Sequence, residues 1–257
     1  MIALVRRPAS TLADGMVTFI ERSPIDLSLA RRQWAAYVSV LQEAGWEIVE
    51  VPSDDALPDS VFVEDTVVMF GDVAVLTNPN RSQRHPEIHD TATVVESLGI
   101  PLLRLQDPAA MDGGDVLKVG RTVYVGLTAS TNQAAADQLT QWLTPRGWTV
   151  VAVPLTKALH LKSAVTALPD GTIIGYLPLV DDVEQYPQFL AMPEEGGSHV
   201  VVIGENAIVM SADAPESAAL LRDRGIDVTE VDISEFTKLE GCVTCLSVRI
   251  RETPSPS

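Results

Sequence analysis

A strand–strand–helix–strand unit recurs along this chain, and a recurring unit restricts the available folds more than any single element does. Four β-hairpins of similar size can be marked. They pair residues 62–69 with 73–77, 116–119 with 122–125, 164–168 with 172–176, and 200–203 with 207–210. Their turns carry Gly71-Asp72, Gly120-Arg121, Pro169-Asp170-Gly171 and Gly204-Glu205-Asn206, and such residues suit the backbone angles of tight turns. A fifth hairpin forms if 244–250 pairs with the amino-terminal strand 2–5.

Helical stretches interleave with the hairpins. Residues 26–44 place Leu27, Ala30, Trp34, Tyr37, Val38 and Leu41 on one face. Residues 86–98, 132–143, 183–190 and 215–224 are the further helix candidates. Four of the five lead into a strand (46–51, 100–105, 148–153 and 226–231), with Gly45, Gly99, Gly147 and Gly225 at the junctions, where glycine commonly ends a helix. The fourth unit has no clear last strand. Such units cannot bury both sheet faces alone. Arranged in a ring they share a core and leave a central site; the competing arrangement is an ordinary open α/β sheet.

The ring matters because it gathers distant residues. Glu64 and Asp65 fall in the first strand of one hairpin. The segment 112–115 leads into the first strand of the next, His160 stands just before that of the third, and Cys245 opens the strand that would close the ring. Equivalent points of related units converge on a common axis.

The chain has only two cysteines, Cys242 and Cys245, too few and too close for a disulfide framework. The commonest fate of a free cysteine is that of a small buried hydrophobe, and Cys242 is expected to share it. The Cys-Val-Thr-Cys spacing also suits a redox pair or half a zinc site. A strand-like run follows it rather than a helix, however, and His85, His89, His160 and His199 show no ligand-like pairing with it. Cys245 is the candidate nucleophile. His160 lies between two leucines, the setting of many core histidines, yet a thiol needs a nearby base or cation and imidazole can supply either. Asp112-Gly-Gly-Asp115 reads either as a plain turn, with Asp115 holding it, or as a close approach to a ligand with Asp112 pointing inward. Acids inside the apolar run ending at Glu64-Asp65 are costly unless paired, and a cationic ligand would pair them. Carboxylates bind guanidinium through bidentate hydrogen bonds. Cysteine then attacks the central carbon while histidine handles the protons.

The bulk composition agrees. Lys and Arg number 18 against 35 Asp and Glu, a formal charge of −17. This argues against nucleic-acid or anionic-membrane partners and mildly favours a cationic ligand. No apolar run reaches membrane-spanning length and the start does not read as a signal peptide, so a cytoplasmic protein is expected. One catalytic domain over 1–252 and a polar, proline-rich flexible tail over 253–257 complete the expectation.

Five segments together resemble the dimethylarginine dimethylaminohydrolases of the pentein superfamily of guanidine-modifying enzymes. They are 57–65 (LPDSVFVED), 111–117 (MDGGDVL), 125–132 (VGLTASTN), 159–163 (LHLKS) and 239–247 (LEGCVTCLS). The resemblance implies an α/β fold, a five-bladed ββαβ propeller with pseudo-fivefold symmetry. It implies Cys245 as nucleophile, His160 as proton donor and Asp112 as the residue orienting histidine and substrate. Asp59, Glu64 and Asp65 would hold the substrate, Arg84 its carboxylate, and Met16 and Leu239 its α-amino end. The implied reaction hydrolyses methylated arginine to citrulline and a methylamine through a thiouronium intermediate, with no metal or cofactor; a homodimer is compatible with it.

One position departs from the family pattern. Ser130 stands where a second carboxylate-binding arginine is expected. Losing one charge-assisted contact of that kind costs roughly 1.5–3 kcal/mol. Either Arg84 or another arginine compensates, or the substrate is a guanidine or amidine with a different tail. A pentein that only binds a partner is the remaining alternative.

Overall fold

The computed structural model describes residues 1–251; the tail expected over 253–257 lies outside the described residues. Five three-stranded sheets form, each built alike. The middle strand pairs antiparallel with the first strand and parallel with the last. Sheet I joins the two ends of the chain: Val248–Ile250, Ile2–Arg6 and Glu47–Val51. Ile2 lies opposite Ile250 and Leu4 opposite Val248, as the fifth hairpin requires. Sheets II and III begin with Val67–Phe70 and Val116–Val119, sheets IV and V with Val165–Ala167 and Val200–Val202. These first strands and Val248–Ile250 all contribute to one central cavity.

Between the middle and last strands of four sheets runs a helix: Leu27–Glu43 (α1), Glu87–Ser97 (α2), Gln133–Leu143 (α3) and Pro215–Asp223 (α4). The apolar stripe of α1 is buried from Ala30 to Leu41, with Leu27 half-buried at its start, and its N-cap Asp26 accepts from the Leu29 N–H. Asn132 caps α3 in the same way through Ala135. Gly45, Gly99, Gly147 and Gly225 all have positive φ.

Unit four departs from expectation. The helix expected over 183–190 is absent; two 3-10 turns, Leu177–Leu179 and Val183–Gln185, precede a short last strand, Phe189–Ala191. Pro187 lies inside the expected helix, where its ring and missing N–H oppose helical continuation. The second correction concerns the first strands of sheets I, II and IV, which start later than expected. Val63–Thr66 is a 3-10 turn, so Glu64 and Asp65 stand ahead of the strand rather than in it. Gly113–Asp115, Leu161–Ala164, Gly196–Ser198 and Val243–Leu246 are the equivalent turns ahead of the other four first strands. Among the described residues, no helix is long and apolar enough to cross a membrane.

Candidate active site

Four of these five turns bring the chemistry together. Asp65 lies in the turn before sheet II and Cys245 in the turn before Val248, while Asp112 and His160 immediately precede turns of their own. All four line one pocket with Met16, Asp59, Arg84, Ser130 and Leu239. Glu64 is the exception among the expected residues. It lines the central cavity on the other side, where its Oε1 takes Lys162 at 2.6 Å and Arg249 at 3.2 Å.

His160 is buried between carboxylates. Its Nε2 is 3.3 Å from Asp112 Oδ2 and its Nδ1 is 4.0 Å from Asp65 Oδ1. Burial opposes the imidazolium, but Asp65, Asp115 and Asp112 outweigh it and raise the His160 pKa to about 10. The approach needs glycine at 114: a Cβ there would stand 2.6 Å from His160 Nδ1 and 2.9 Å from Asp65 Oδ1. At Gly113 a Cβ would stand 2.0 Å from the Glu64 carbonyl oxygen. The two glycines of Asp-Gly-Gly-Asp therefore let neighbouring turns touch.

Asp115 has the holding role. Its Oδ1 accepts from the Leu161 N–H at 3.0 Å, and its Oδ2 accepts from the Thr131 and Thr128 hydroxyls at 2.6 and 2.9 Å. The residue after His160 is thereby tied to the loop containing Ser130. Burial pushes the Asp115 carboxyl up to about 6.

Cys245 is only 7 % exposed. Its sulfur lies 3.4 Å from Cys242 Sγ and accepts the Cys242 N–H at 3.5 Å. The hydrogen bond with Cys242, burial, and the negative charges of Cys242, Glu64 and Asp65 all hold the Cys245 thiol above its ordinary range. A site of this kind stores a neutral thiol when empty and favours the thiolate once a cation enters.

Arg84 lines the pocket, but its guanidinium is already engaged. Nη1 donates to Asp65 Oδ2 at 2.7 Å, while Nε and Nη2 donate to Glu87 at 3.1 and 2.8 Å. Donors on Nη1 and Nη2 remain for a ligand. Asp65 also accepts the Gly114 N–H at 3.0 Å. Asp59 accepts the Met16 N–H at 2.9 Å, and burial raises its carboxyl pKa.

Two residues not singled out from the sequence belong to the same pocket. Arg81 donates to Met16 Sδ at 3.3 Å and Thr18 Oγ1 at 3.0 Å, both neutral partners. Its neighbour Asn80 donates to the Ala129 carbonyl at 3.0 Å, which pins Arg81 beside the loop of Ser130. Glu240 accepts from the N–H groups of Thr18 and Ile20, at 2.9 and 3.0 Å, and of Phe19. It does so from a left-handed backbone, φ 61°, which is uncommon for a side chain of its size. Segment 15–22 is thus clamped over the pocket, whose free space is about 40 Å³. That holds a few waters and far less than an amino acid, so the segment must open for a substrate to enter. The unusual local sequence around Glu240, acid then glycine, was the only available signal for it.

No protein-family model matches the chain. Individual relatives do. The N(G),N(G)-dimethylarginine dimethylaminohydrolase of Streptomyces coelicolor is 53 % identical over 250 residues, 97 % of each chain. The Pseudomonas aeruginosa enzyme of that name is 32 % identical, covering 96 % of this chain and 98 % of that one. A structure of the Pseudomonas aeruginosa enzyme, a cysteine-to-serine variant complexed with citrulline, superposes with a TM-score of 0.87 over 96 % of this chain and 98 % of that one, at 30 % identity. The amino-terminal domain of ArgZ, a cyanobacterial arginine dihydrolase, is 20 % identical over 99 % of this chain and 98 % of that one and shares the fold, with a TM-score of 0.86. The five three-stranded sheets have the pentein arrangement, and with this identity over nearly its whole length the chain belongs to the dimethylarginine dimethylaminohydrolase family of hydrolases.

Proposed function

We propose that this protein is a single-domain hydrolase that converts Nω-methylated arginine to citrulline and a methylamine. One observation carries the reading: a buried cysteine, a histidine whose charged form neighbouring aspartates favour, and the three aspartates Asp59, Asp65 and Asp112 line one lidded pocket.

Asp65 and Asp112 receive the guanidinium, and Asp59 receives the α-amino group beside Met16 and Leu239. The entering cation lowers the Cys245 pKa, and the thiol proton leaves to solvent. The thiolate attacks the guanidinium carbon, forming a C–S bond. The bond from that carbon to the methylated nitrogen breaks as His160 gives that nitrogen its proton. Methylamine departs and an S-alkyl thiouronium remains on Cys245. Neutral His160 then takes a proton from water as the water oxygen bonds to the same carbon. Breakage of the C–S bond yields citrulline and restores the sulfur. Glu64 acts from behind, through its field on Cys245, rather than as a guanidinium ligand.

Recognition of the carboxylate tail falls to Arg81 together with the free donors of Arg84. Arg81 lines the same pocket as Ser130, is half-buried with only neutral hydrogen-bond partners, and is held there by Asn80. The small side chain of Ser130 leaves that corner open. Ser130 also motivates a second reading, a guanidine without an α-carboxylate, and agmatine is its simplest probe.

The experiment is incubation with asymmetric dimethylarginine, monomethylarginine, arginine and agmatine in parallel, with ureido product and released amine both measured. Product from the methylated arginines, lost by at least about 10³-fold in Cys245→Ser, is expected. Turnover of agmatine alone would replace the first reading with the second. Full activity in Cys245→Ser would end both. Arg81→Ala should raise KM for dimethylarginine by about 10 to 100-fold and leave kcat nearly unchanged; an unaltered KM would remove Arg81 from the scheme.

A further inference from the structure

A second, roomier cavity lies on the other side of Glu64 from the pocket just described. Its space is about 410 Å³, the scale of small-molecule sites. The first strands of all five sheets supply an apolar wall rich in valine. Into it come the cations Lys118, Arg121, Lys162, Arg249 and Arg251, against a single carboxylate, Glu64.

That imbalance is local and opposite in sign to the rest of the chain, which carries −17. Lys162 and Arg249 share Glu64 Oε1. Lys118, Arg121 and Arg251 have no carboxylate within salt-bridge distance among the described residues. Neutral groups hold them instead. Lys118 donates to the Met69 carbonyl and lies 5.6 Å from the centre of the Phe70 ring. Arg121 stacks over Trp148 at 4.8 Å. Arg251 lies over Trp46 at 5.2 Å and donates to the Val202 carbonyl at 2.8 Å. Aromatic faces fix a guanidinium without neutralising it, so the forks stay aimed and charged. Lys118 is accessible from the cavity yet enclosed by protein. Burial and the like charges of Lys162, Arg249 and Arg251, with Glu64 opposing, push it down to about 7. Positive groups crowded in this way store unfavourable repulsion that a multivalent anion relieves.

From this geometry we propose that the central cavity is a binding site for a small polyphosphate group, read by Lys118, Arg121 and Arg251 around the axis of the five sheets. The arginine forks match phosphate oxygens bidentately and Lys118 acts as a point charge. A triphosphate brings enough negative charge to balance the excess cations and is small enough for the space. The site is independent of the hydrolytic reading, because none of these three residues lines the catalytic pocket.

Isothermal titration of the full chain at constant ionic strength tests it. Inorganic triphosphate and a nucleoside triphosphate form the two arms, and sulfate is the control. One saturable site per chain for inorganic triphosphate, with sulfate at least 10-fold weaker, is expected. Binding of the nucleotide alone would assign the same site to a carried polyphosphate. The double variant Lys118→Met, Arg251→Met keeps the apolar stems and should weaken binding by about 100-fold, while melting and guanidine hydrolysis stay near wild type. If that variant fails to fold, Lys118→Met alone should still lose about 10-fold. No saturable binding in either arm, or binding untouched by a folded variant, overturns the proposal.

Discussion

His160 and Cys245 carry opposed electrostatic demands within one pocket. The imidazole has a pKa raised to about 10 by three aspartates, and the thiol is held above its usual range by Cys242 and the same negative field. Linkage fixes the sign of the first effect. A group protonated more readily in the folded state contributes stability that is complete below its unfolded pKa, about 6.5, and disappears as pH rises through the folded value. Wild type should therefore lose stability between pH 6.5 and about 10, and His160→Gln should lack that part of the slope. Chemical denaturation at stepped pH reads it, and parallel profiles for the two proteins would refute it. The second effect is local to one hydrogen bond. Cys242→Ala removes the 3.4 Å sulfur contact, so the midpoint pH for alkylation of Cys245 should fall. An unchanged midpoint would show that burial and the carboxylates alone set the thiol.

At the scale of elements, every functional residue sits at an edge that helical and strand periodicities describe poorly. Helices α1, α2 and α3 were legible to within one or two residues, because helical spacing and the glycines at the helix–strand junctions agree. The turns ahead of the first strands were not. Val63 and Thr66 favour strands, and apolar residues flank the segment on both sides, yet the Thr66 hydroxyl donates to the Val63 carbonyl at 2.7 Å and the Asp65 N–H to the Phe62 carbonyl at 3.1 Å. Neighbouring turns press on Gly113 and Gly114, and that tertiary contact decides the local shape. Pairings such as Glu64 with Lys162 and Arg84 with Glu87 likewise depend on which side of a turn faces which cavity, and no periodicity encodes that. Every site residue expected from the sequence except Glu64 lines the pocket; Arg81 was missed because it lies outside the five family-like segments, and Glu240 because its place in 239–247 carries no implied role. Glu240 gives the element-scale prediction. Its carboxylate gathers three successive N–H groups of the lid, so Glu240→Ala should expose segment 15–22 to protease and raise KM by about 10-fold. An unchanged cleavage rate would mean that the contacts of Arg22 with the Ala13 and Gly15 carbonyls hold the lid without it.

The whole molecule is joined at sheet I, where the two ends of the chain meet, and the catalytic cysteine lies just ahead of that join. Ile250 is fully buried opposite Ile2, and Val248 lies opposite Leu4. Their side chains fill the same apolar cluster as Val63, Val67 and Ala92 of the next unit. Tyr37 on α1 adds a 2.6 Å hydrogen bond to Ser247. No sheet edge can therefore release the carboxyl-terminal strand without opening a core shared by two units and displacing Cys245. Local and global unfolding should coincide. Ile250→Ala is expected to cost about 2–5 kcal/mol. It should shift the urea midpoint of tryptophan fluorescence and the midpoint for loss of activity by the same amount, since Trp46 reports on sheet I and Trp148 on sheet III. If activity instead disappears at lower urea than fluorescence, sheet I opens as its own unit. The join of the two chain ends would then be a local fastening of the active site, not the step that makes five sheets one cooperative structure.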